Sequence, residues 1–356
     1  MDLGGYPCPY CGAALEEAGA VLRCTACGIS CDPAAAEEYA REKELPPDSL
    51  SWDEYAGAGI FGDAVYGECG QCGTVFAFPA ESAPYIGEAA GSDAARCPFC
   101  DSVLNPVTSG APTPDIVLPF VKDRQAAQDA FVRFCRFKPL LPAGFVSHKR
   151  VNAIKKVYLP YWVTDCAALA KLRFDAQKSH TKRSGGERSI KTDTFMAIRE
   201  GTAAYSGVYS CASTAGKKCC AIAEPFDAAA AQPFEGGVPE AYIVVADSPA
   251  QQAHAAAEER IRRSMERLLA DTVKGFSEKK RQAGRLEISG AKTRLALFPV
   301  WIISTKYKTK TYRFVMNAHT GRAYGEIPFS KAKMAGIFAA VTAGVALIGT
   351  TLTLLL

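Results

Sequence analysis

The chain reads as an α+β protein with two N-terminal zinc ribbons, a β-rich mixed domain with one long helix, and a C-terminal transmembrane helix. Three observations predict this. Eight cysteines form four C-x-x-C pairs within the first hundred residues. The middle of the chain alternates strand-like apolar runs with one long amphipathic stretch. The final segment, AGIFAAVTAGVALIGTTLTLLL from Ala335 to Leu356, carries no charge.

The cysteine pairs are Cys8/Cys11 with Cys24/Cys27, and Cys69/Cys72 with Cys97/Cys100. Each pair of pairs is a full four-thiolate set for one tetrahedral Zn²⁺. Two residues between thiolates let a tight turn, the knuckle, bring both sulfurs to about 2.3 Å from one ion. The knuckles of the first unit read CPYCG and CTACG, and Ala20-Val21-Leu22-Arg23 reads as the returning strand of a hairpin between them. Gly12 and Gly28 stand where the chain needs a positive φ. In the second unit the knuckles read CGQCG and CPFCD. Thr74 to Phe78 leaves the first of these as a strand, and Pro79 to Arg96 reads as a loop.

Disulfides compete with zinc for such cysteines, but they need an oxidising compartment. The start Met1-Asp2-Leu3-Gly4-Gly5 offers neither a basic nor an apolar leader region, so a reducing compartment is expected. Four thiolates leave no open position for water, so the expected role is structural: two zinc ions that hold together segments too poor in large apolar residues to fold on their own. Cys31, four residues after Cys27, reads first as a free thiol and second as a spare ligand. Cys135, Cys166, Cys211, Cys219 and Cys220 lack the spacing and read as buried or incidental thiols.

The organisation expected is serial. Residues 1–31 form ribbon 1, 32–66 a helical connector, 67–104 ribbon 2, 105–114 a Pro/Ser/Thr/Gly linker, 115–330 the β-rich domain and 335–356 the membrane helix. Asp32-Pro33 starts a short helix over Ala34–Glu44, closed by Pro46-Pro47. Trp52 and Tyr55 lie in an acidic connector that either spaces the ribbons or packs on the second one. The β-rich domain opens with a strand at Ile116–Phe120. Asp123 caps a helix from Arg124 to about Arg136, with Ala127, Ala130, Phe131 and Phe134 on one face. KKVYLPYW and Ala170–Phe174 read as strand. A long helix is expected from Asp247-Ser248-Pro249 to about Arg281, burying Ile261, Met265, Leu268, Thr272 and Phe276. Tyr307–Gly325 reads as a hairpin that turns at Asn317–Gly321. Leu159-Pro160-Tyr161-Trp162 and Phe298-Pro299-Val300-Trp301 echo one another, as two related β lobes with a helix between them would.

The basic run QKSHTKRSGGERSIKTD, Gln177 to Asp193, reads first as a solvated hairpin tip turning at Gly185-Gly186 and second as a phosphate contact. Arg199-Glu200-Gly201 and Glu224–Asp227 read as charged turns. No phosphate-binding loop, G-x-S-x-G or H-E-x-x-H motif occurs, and His148, His180, His254 and His319 show no pairing. A net charge of +4 over 356 residues does not imply nucleic acid. The uncharged end is long enough to cross a bilayer, and Lys331 and Lys333 just before it place the large N-terminal part in the cytoplasm.

Taken together, the ribbons, DIVLPFVKDRQAAQDAF, VYLPYW, REG, EPFD, LFPVW and NAHTGRAYGEIPFSKAK resemble a bacterial family of membrane-anchored zinc-ribbon proteins. Its members are labelled TFIIB-type zinc-ribbon or primosomal helicase-like proteins. The resemblance implies the architecture and zinc ligation at Cys8, Cys11, Cys24, Cys27, Cys69, Cys72, Cys97 and Cys100, and no catalysis. The expected function is a non-enzymatic adaptor on the inner membrane, single-pass through its C-terminal helix, whose ribbons recognise a cytoplasmic protein partner. The alternative is a nucleic-acid binder.

Overall fold

The computed structural model describes residues 6–41, 47–55, 57, 59, 61, 62, 64–87, 94–147, 151, 153–184, 187–235, 240–308 and 310–355. The Gly185-Gly186 turn, Pro46, His148 and the end of the first helix at Glu44 lie outside them. In chain order the elements are β1 Leu15–Ala18, β2 Val21–Cys24, β3 Ser30–Cys31, α1 Pro33–Arg41, β4 Ser49–Trp52, β5 Ala64–Cys69, β6 Val75–Pro79, β7 Leu104–Val107, β8 Ile116–Val117, α2 Arg124–Arg136, β9 Lys155–Ser184, β10 Glu187–Cys211, α3 Lys217–Ala223, β11 Gln232–Pro233, β12 Tyr242–Val244, α4 Ala250–Thr272, β13 Glu278–Tyr307, β14 Lys310–Asn317, β15 Ala323–Gly325 and α5 Lys331–Leu355. The protein is mixed α+β and rich in sheet.

Compactness divides the chain into two units, and each is discontinuous in sequence. Unit 1 joins Met1–Tyr55, Thr164–Val208 and His254–Thr293, and unit 2 joins Ala56–Val163, Tyr209–Ala253 and Arg294–Leu356. The long strands β9, β10 and β13 contribute residues to both.

In unit 1 the hydrogen-bonded order runs β1-β2-β3-β10-β9. β3 lies parallel to β10, with Ser30 opposite Phe195 and Cys31 opposite Met196. Leu15, Leu22, Ile29, Ala35 and Ala36 pack there on Met196 and Ile198. A second core lies under α4, where Ile261, Met265, Leu269 and Val273 meet Leu172, Phe174, Leu286 and Ile288. The sequence places Leu268 on that face, yet it is 52% exposed and Leu269 is buried. The helix also stops at Thr272, short of the expected Arg281, because Gly275 turns the chain at φ 85° and Glu278 begins β13. Arg199-Glu200-Gly201 is strand rather than turn, and Glu200 pairs with Lys171.

The connector resolves differently from both expectations. β4 runs parallel to β13, with Ser49 opposite Glu287. Asp48 pins it there: Leu286 N–H and the Arg262 guanidinium both donate to its carboxylate, at 2.7 and 2.6 Å.

In unit 2, β7-β5-β6-β12-β9 are successive neighbours. β7 takes in Asn105–Val107, residues the sequence reading gives to a linker. Pro106 is tolerated because β7 is an edge strand. The α2 boundaries match the expectation: Asp123 accepts from Ala126 N–H at 2.8 Å, and Ala127, Ala130 and Phe131 are buried. At the far end Gly321 turns the β14–β15 hairpin at φ 78°. α5 begins where Ser330 N–H donates to the Leu140 carbonyl and Lys333 Nζ to that of Leu141.

The two Pro-x-Trp segments mark an internal repeat. β8-α2-β9-β10 and β12-α4-β13-β14 have the same order, and each strand–helix start docks on the other's hairpin. β12 lies parallel to β9 with Ile243 opposite Tyr158, and β8 lies parallel to β13 with Val117 opposite Leu297. Further along each hairpin, the indole N–H of Trp162 donates to Ser248 O at 2.9 Å, and that of Trp301 to Lys122 O at 2.8 Å. Ala212 N–H donates to Pro160 O, and Ala318 N–H to Pro299 O. Ala212 O then accepts from Asp247 and Ser248, as Ala318 O does from Val121 and Lys122. The rings of Tyr161 and Phe298 stack between the halves, with centroids 4.8 Å apart.

Candidate metal centres

All four knuckles have one backbone design. The N–H of the residue after the second cysteine donates to the carbonyl of the first: Gly12 to Cys8, Gly28 to Cys24, Gly73 to Cys69 and Asp101 to Cys97, at 2.8–3.0 Å. The first cysteine's own N–H donates five residues ahead, to Ala13, Ile29, Thr74 and Ser102. Closing this loop forces a left-handed residue, and φ is 73°, 74°, 67° and 64° at the four positions. Glycine meets that demand three times; Asp101 meets it at the steric cost of a Cβ.

The loops bring the sulfurs together. Cys8, Cys11, Cys24 and Cys27 form one group and Cys69, Cys72, Cys97 and Cys100 the other, and within each the Sγ atoms all lie within 4.8 Å of one another. The closest approaches are 3.5 Å for Cys8–Cys27, 3.4 Å for Cys11–Cys24, 3.3 Å for Cys69–Cys100 and 3.6 Å for Cys72–Cys97. A tetrahedron with arms of about 2.3 Å has edges of about 3.8 Å. Either group could therefore hold one metal ion, with sulfur at every position. Cys31 is buried outside the first group as a free thiol, and burial pushes it up to about 11.

The two groups differ in shelter. In the first, Cys11 and Cys27 are exposed; in the second, Cys69, Cys97 and Cys100 are buried. Crowding also splits their acidities. A hydrogen bond from Cys97, with another from Thr74, draws Cys72 down to about 4, while Cys97, held to that thiolate and desolvated, is pushed up.

Unit 2 grips its second knuckle from outside. Arg313 Nε donates to Phe99 O at 2.6 Å, Ser304 Oγ to Pro98 O, and Lys155 Nζ to Arg96 O at 2.6 Å. These partners lie far from the knuckle in sequence and carry no motif, so spacing offers no signal for them. The structure also pairs Cys211 with Cys220 in a disulfide, where the sequence reading has two incidental thiols. β10 ends at Cys211 and α3 places Cys220 against it, a contact made by the tertiary fold. Cys135, Cys166 and Cys219 are buried and free.

α5 meets the membrane expectation in its coarse form. Lys331–Thr351 is long and apolar enough to cross a membrane, and none of that window is buried. Phe338, Val345 and Leu347 are 65–73% exposed.

Comparison with known proteins adds one relative. The chain is 25% identical over 245 residues to the uncharacterized protein YdjG of Bacillus subtilis, a match spanning 68% of this chain and 72% of that protein. No family model matches the chain. No solved structure matches it.

Proposed function

We propose that this chain is a membrane-anchored zinc-binding adaptor without catalytic activity. Its two four-cysteine groups are zinc ribbons that recognise a cytoplasmic protein partner, and α5 holds it in the inner membrane by a single pass. One observation carries the reading: two closed sets of four sulfurs stand in the same chain as a fully exposed apolar helix. Four thiolates saturate Zn²⁺ and leave no site for substrate or water, which favours a structural ion presenting a surface. Cys8, Cys11, Cys24 and Cys27 would hold one ion, and Cys69, Cys72, Cys97 and Cys100 the other. Bound zinc supplies rigidity, on the order of 10–16 kcal/mol for such sites.

The test has two parts. Metal analysis of the full chain in phospholipid nanodiscs is expected to give two zinc per chain. In-cell crosslinking is expected to recover one protein in excess, and to lose it in a Cys8→Ser/Cys11→Ser variant that stays in the membrane fraction. Metal-free chain, or recovery that is indifferent to that variant, would defeat the adaptor reading.

A second reading, nucleic-acid binding, has one observation in its favour: Lys178, His180 and Lys191 are exposed towards the end of the β9–β10 pair. Phosphate contacts would make binding fall steeply with salt, and a flat salt response would remove it.

A further inference from the structure

Unit 1 contains a groove of about 580 Å³ bounded by α1, β10 and the turn between α4 and β13. That volume suits a small organic ligand. Its apolar lining comes from both sides of β10: Met196 and Ile198 from the core beneath the first ribbon, and Phe276 from the core under α4. Small side chains, Ala34 and Ala197, keep it open where larger ones would close it.

Its charges are unevenly spent. Among the described residues two carboxylates line the groove, and both are engaged: Asp32 accepts from Ala34 N–H at 2.8 Å, and Glu38 pairs with Lys171. Three cations also line it, Lys178, Arg199 and Lys274. Among the described residues no carboxylate pairs with any of the three; Arg199 donates only to the carbonyl of Ile198, at 2.7 Å. The fold holds two of them together. Ser277 donates both its N–H and its hydroxyl to Gln177 O, at 2.8 and 2.9 Å, which fixes the Lys274 turn beside Lys178 on β9. Apolar lining beside cations that no described carboxylate pairs with favours an amphipathic anion.

We propose that this groove binds a small organic anion with an apolar body, a carboxylate or phosphate monoester carried on an aromatic or alkyl group. The apolar part lies against Ile198 and Phe276, and the anionic head meets Lys178 and Lys274. This inference does not depend on the metal ions or on the adaptor reading.

The test uses the full chain in phosphatidylcholine nanodiscs and fluorine NMR of three probes: 4-(trifluoromethyl)benzoate, 4-(trifluoromethyl)phenyl phosphate and the uncharged 4-(trifluoromethyl)benzamide. Both anions are expected to broaden saturably, and the amide to bind at least about tenfold more weakly. Lys178 and Lys274 are solvent-exposed, so a Lys178→Gln/Lys274→Gln variant keeps its fold and is expected to lose about tenfold in anion affinity. Ala34→Leu, on the wall of the groove, is expected to weaken all three probes by filling the space. Equal binding of amide and anions, binding unchanged in the lysine variant, or the same broadening from empty nanodiscs would overturn the proposal.

Discussion

The imidazole of His254 lies flat on the indole of Trp52, with ring centroids 4.5 Å apart and planes 5° from parallel. Its Nε2 stands 3.4 Å from Thr293 Oγ1, which is itself 3.1 Å from Thr164 Oγ1. Burial holds this imidazole below its ordinary value of 6.5. The unfolded chain therefore takes up the proton at a higher pH than the folded one. Stability from this group is full above the unfolded value and is lost as pH falls through the lowered one. Denaturant unfolding between about pH 8 and about pH 5 is expected to show that loss. His254→Phe, which keeps a ring on Trp52, is expected to flatten it; an unchanged slope would assign the effect to other groups.

The unequal shelter of the two four-cysteine groups predicts two-phase metal release. A chelator reaches the first group through exposed Cys11 and Cys27, while the second group is mostly buried. One metal equivalent is expected to leave fast and the second slowly, and Cys11→Ser is expected to abolish the fast phase alone. Cys97→Ser should instead unfold much of unit 2, because the knuckle it anchors is tied to Arg313 and Ser304. Absorbance of a zinc-sensitive dye reads the first outcome and circular dichroism the second.

Asp101 occupies a left-handed position that the other three knuckles give to glycine. Asp101→Gly is expected to stabilise the protein by about 0.5–1 kcal/mol. The pairing it gives up, to Lys155 at 3.8 Å, is partly exposed and worth less. Gly73→Ala makes the reverse change and should destabilise by about 1 kcal/mol. Urea midpoints of the two variants check both signs.

Asn317 is fully buried and uses its whole side chain. Its Nδ2 donates to Ala223 O and Pro225 O at 2.9 and 3.0 Å, and its Oδ1 accepts from His319 and Thr320, both at 2.9 Å. Asn317→Ala strands groups that water cannot reach, at a cost of about 3 kcal/mol or more. Asn317→Asp keeps the acceptor and loses the donor, so it should cost less at low pH, where the carboxyl is protonated, than at neutral pH. Thermal unfolding at the two conditions separates them.

The Cys211–Cys220 bond is open to direct counting. Of the 14 cysteines, 12 are free in the structure. Alkylation of metal-stripped, denatured chain is expected to modify 12 residues without reductant and 14 after it, by intact mass. Full alkylation without reductant would show the pair reduced in the purified protein.

What could be read from sequence was local. A knuckle is closed by hydrogen bonds spanning four or five residues, so its spacing and its Gly12 or Gly28 suffice to write it down. The same holds for α2, whose cap at Asp123 lies one residue before its start. Leu268 against Leu269 shows the limit: two adjacent leucines fit one apolar stripe equally well, and only the sheet beneath chooses between them. The continuous strand from Lys155 to Ser184 reads as separate pieces in one dimension, because Pro160 and several alanines weaken its propensity while pairing on both sides sustains it. Nothing local tells Trp52 that it will meet a histidine about two hundred residues away. The groove is likewise invisible in the sequence, being assembled from separated segments that no spacing rule connects.

The exchange of strand and helix starts between the two Trp-bearing hairpins has an architectural consequence. Each half carries the piece that completes the other, so neither half is a finished object by itself. Cut between Gln232 and Tyr242, the polypeptide would become two fragments, each lacking its neighbour's latch, which should reassociate as a pair and recover their mutual indole contacts only when mixed. Such a plan is what two copies of one ancestral subunit, clasped arm in arm and later joined end to end, would leave behind.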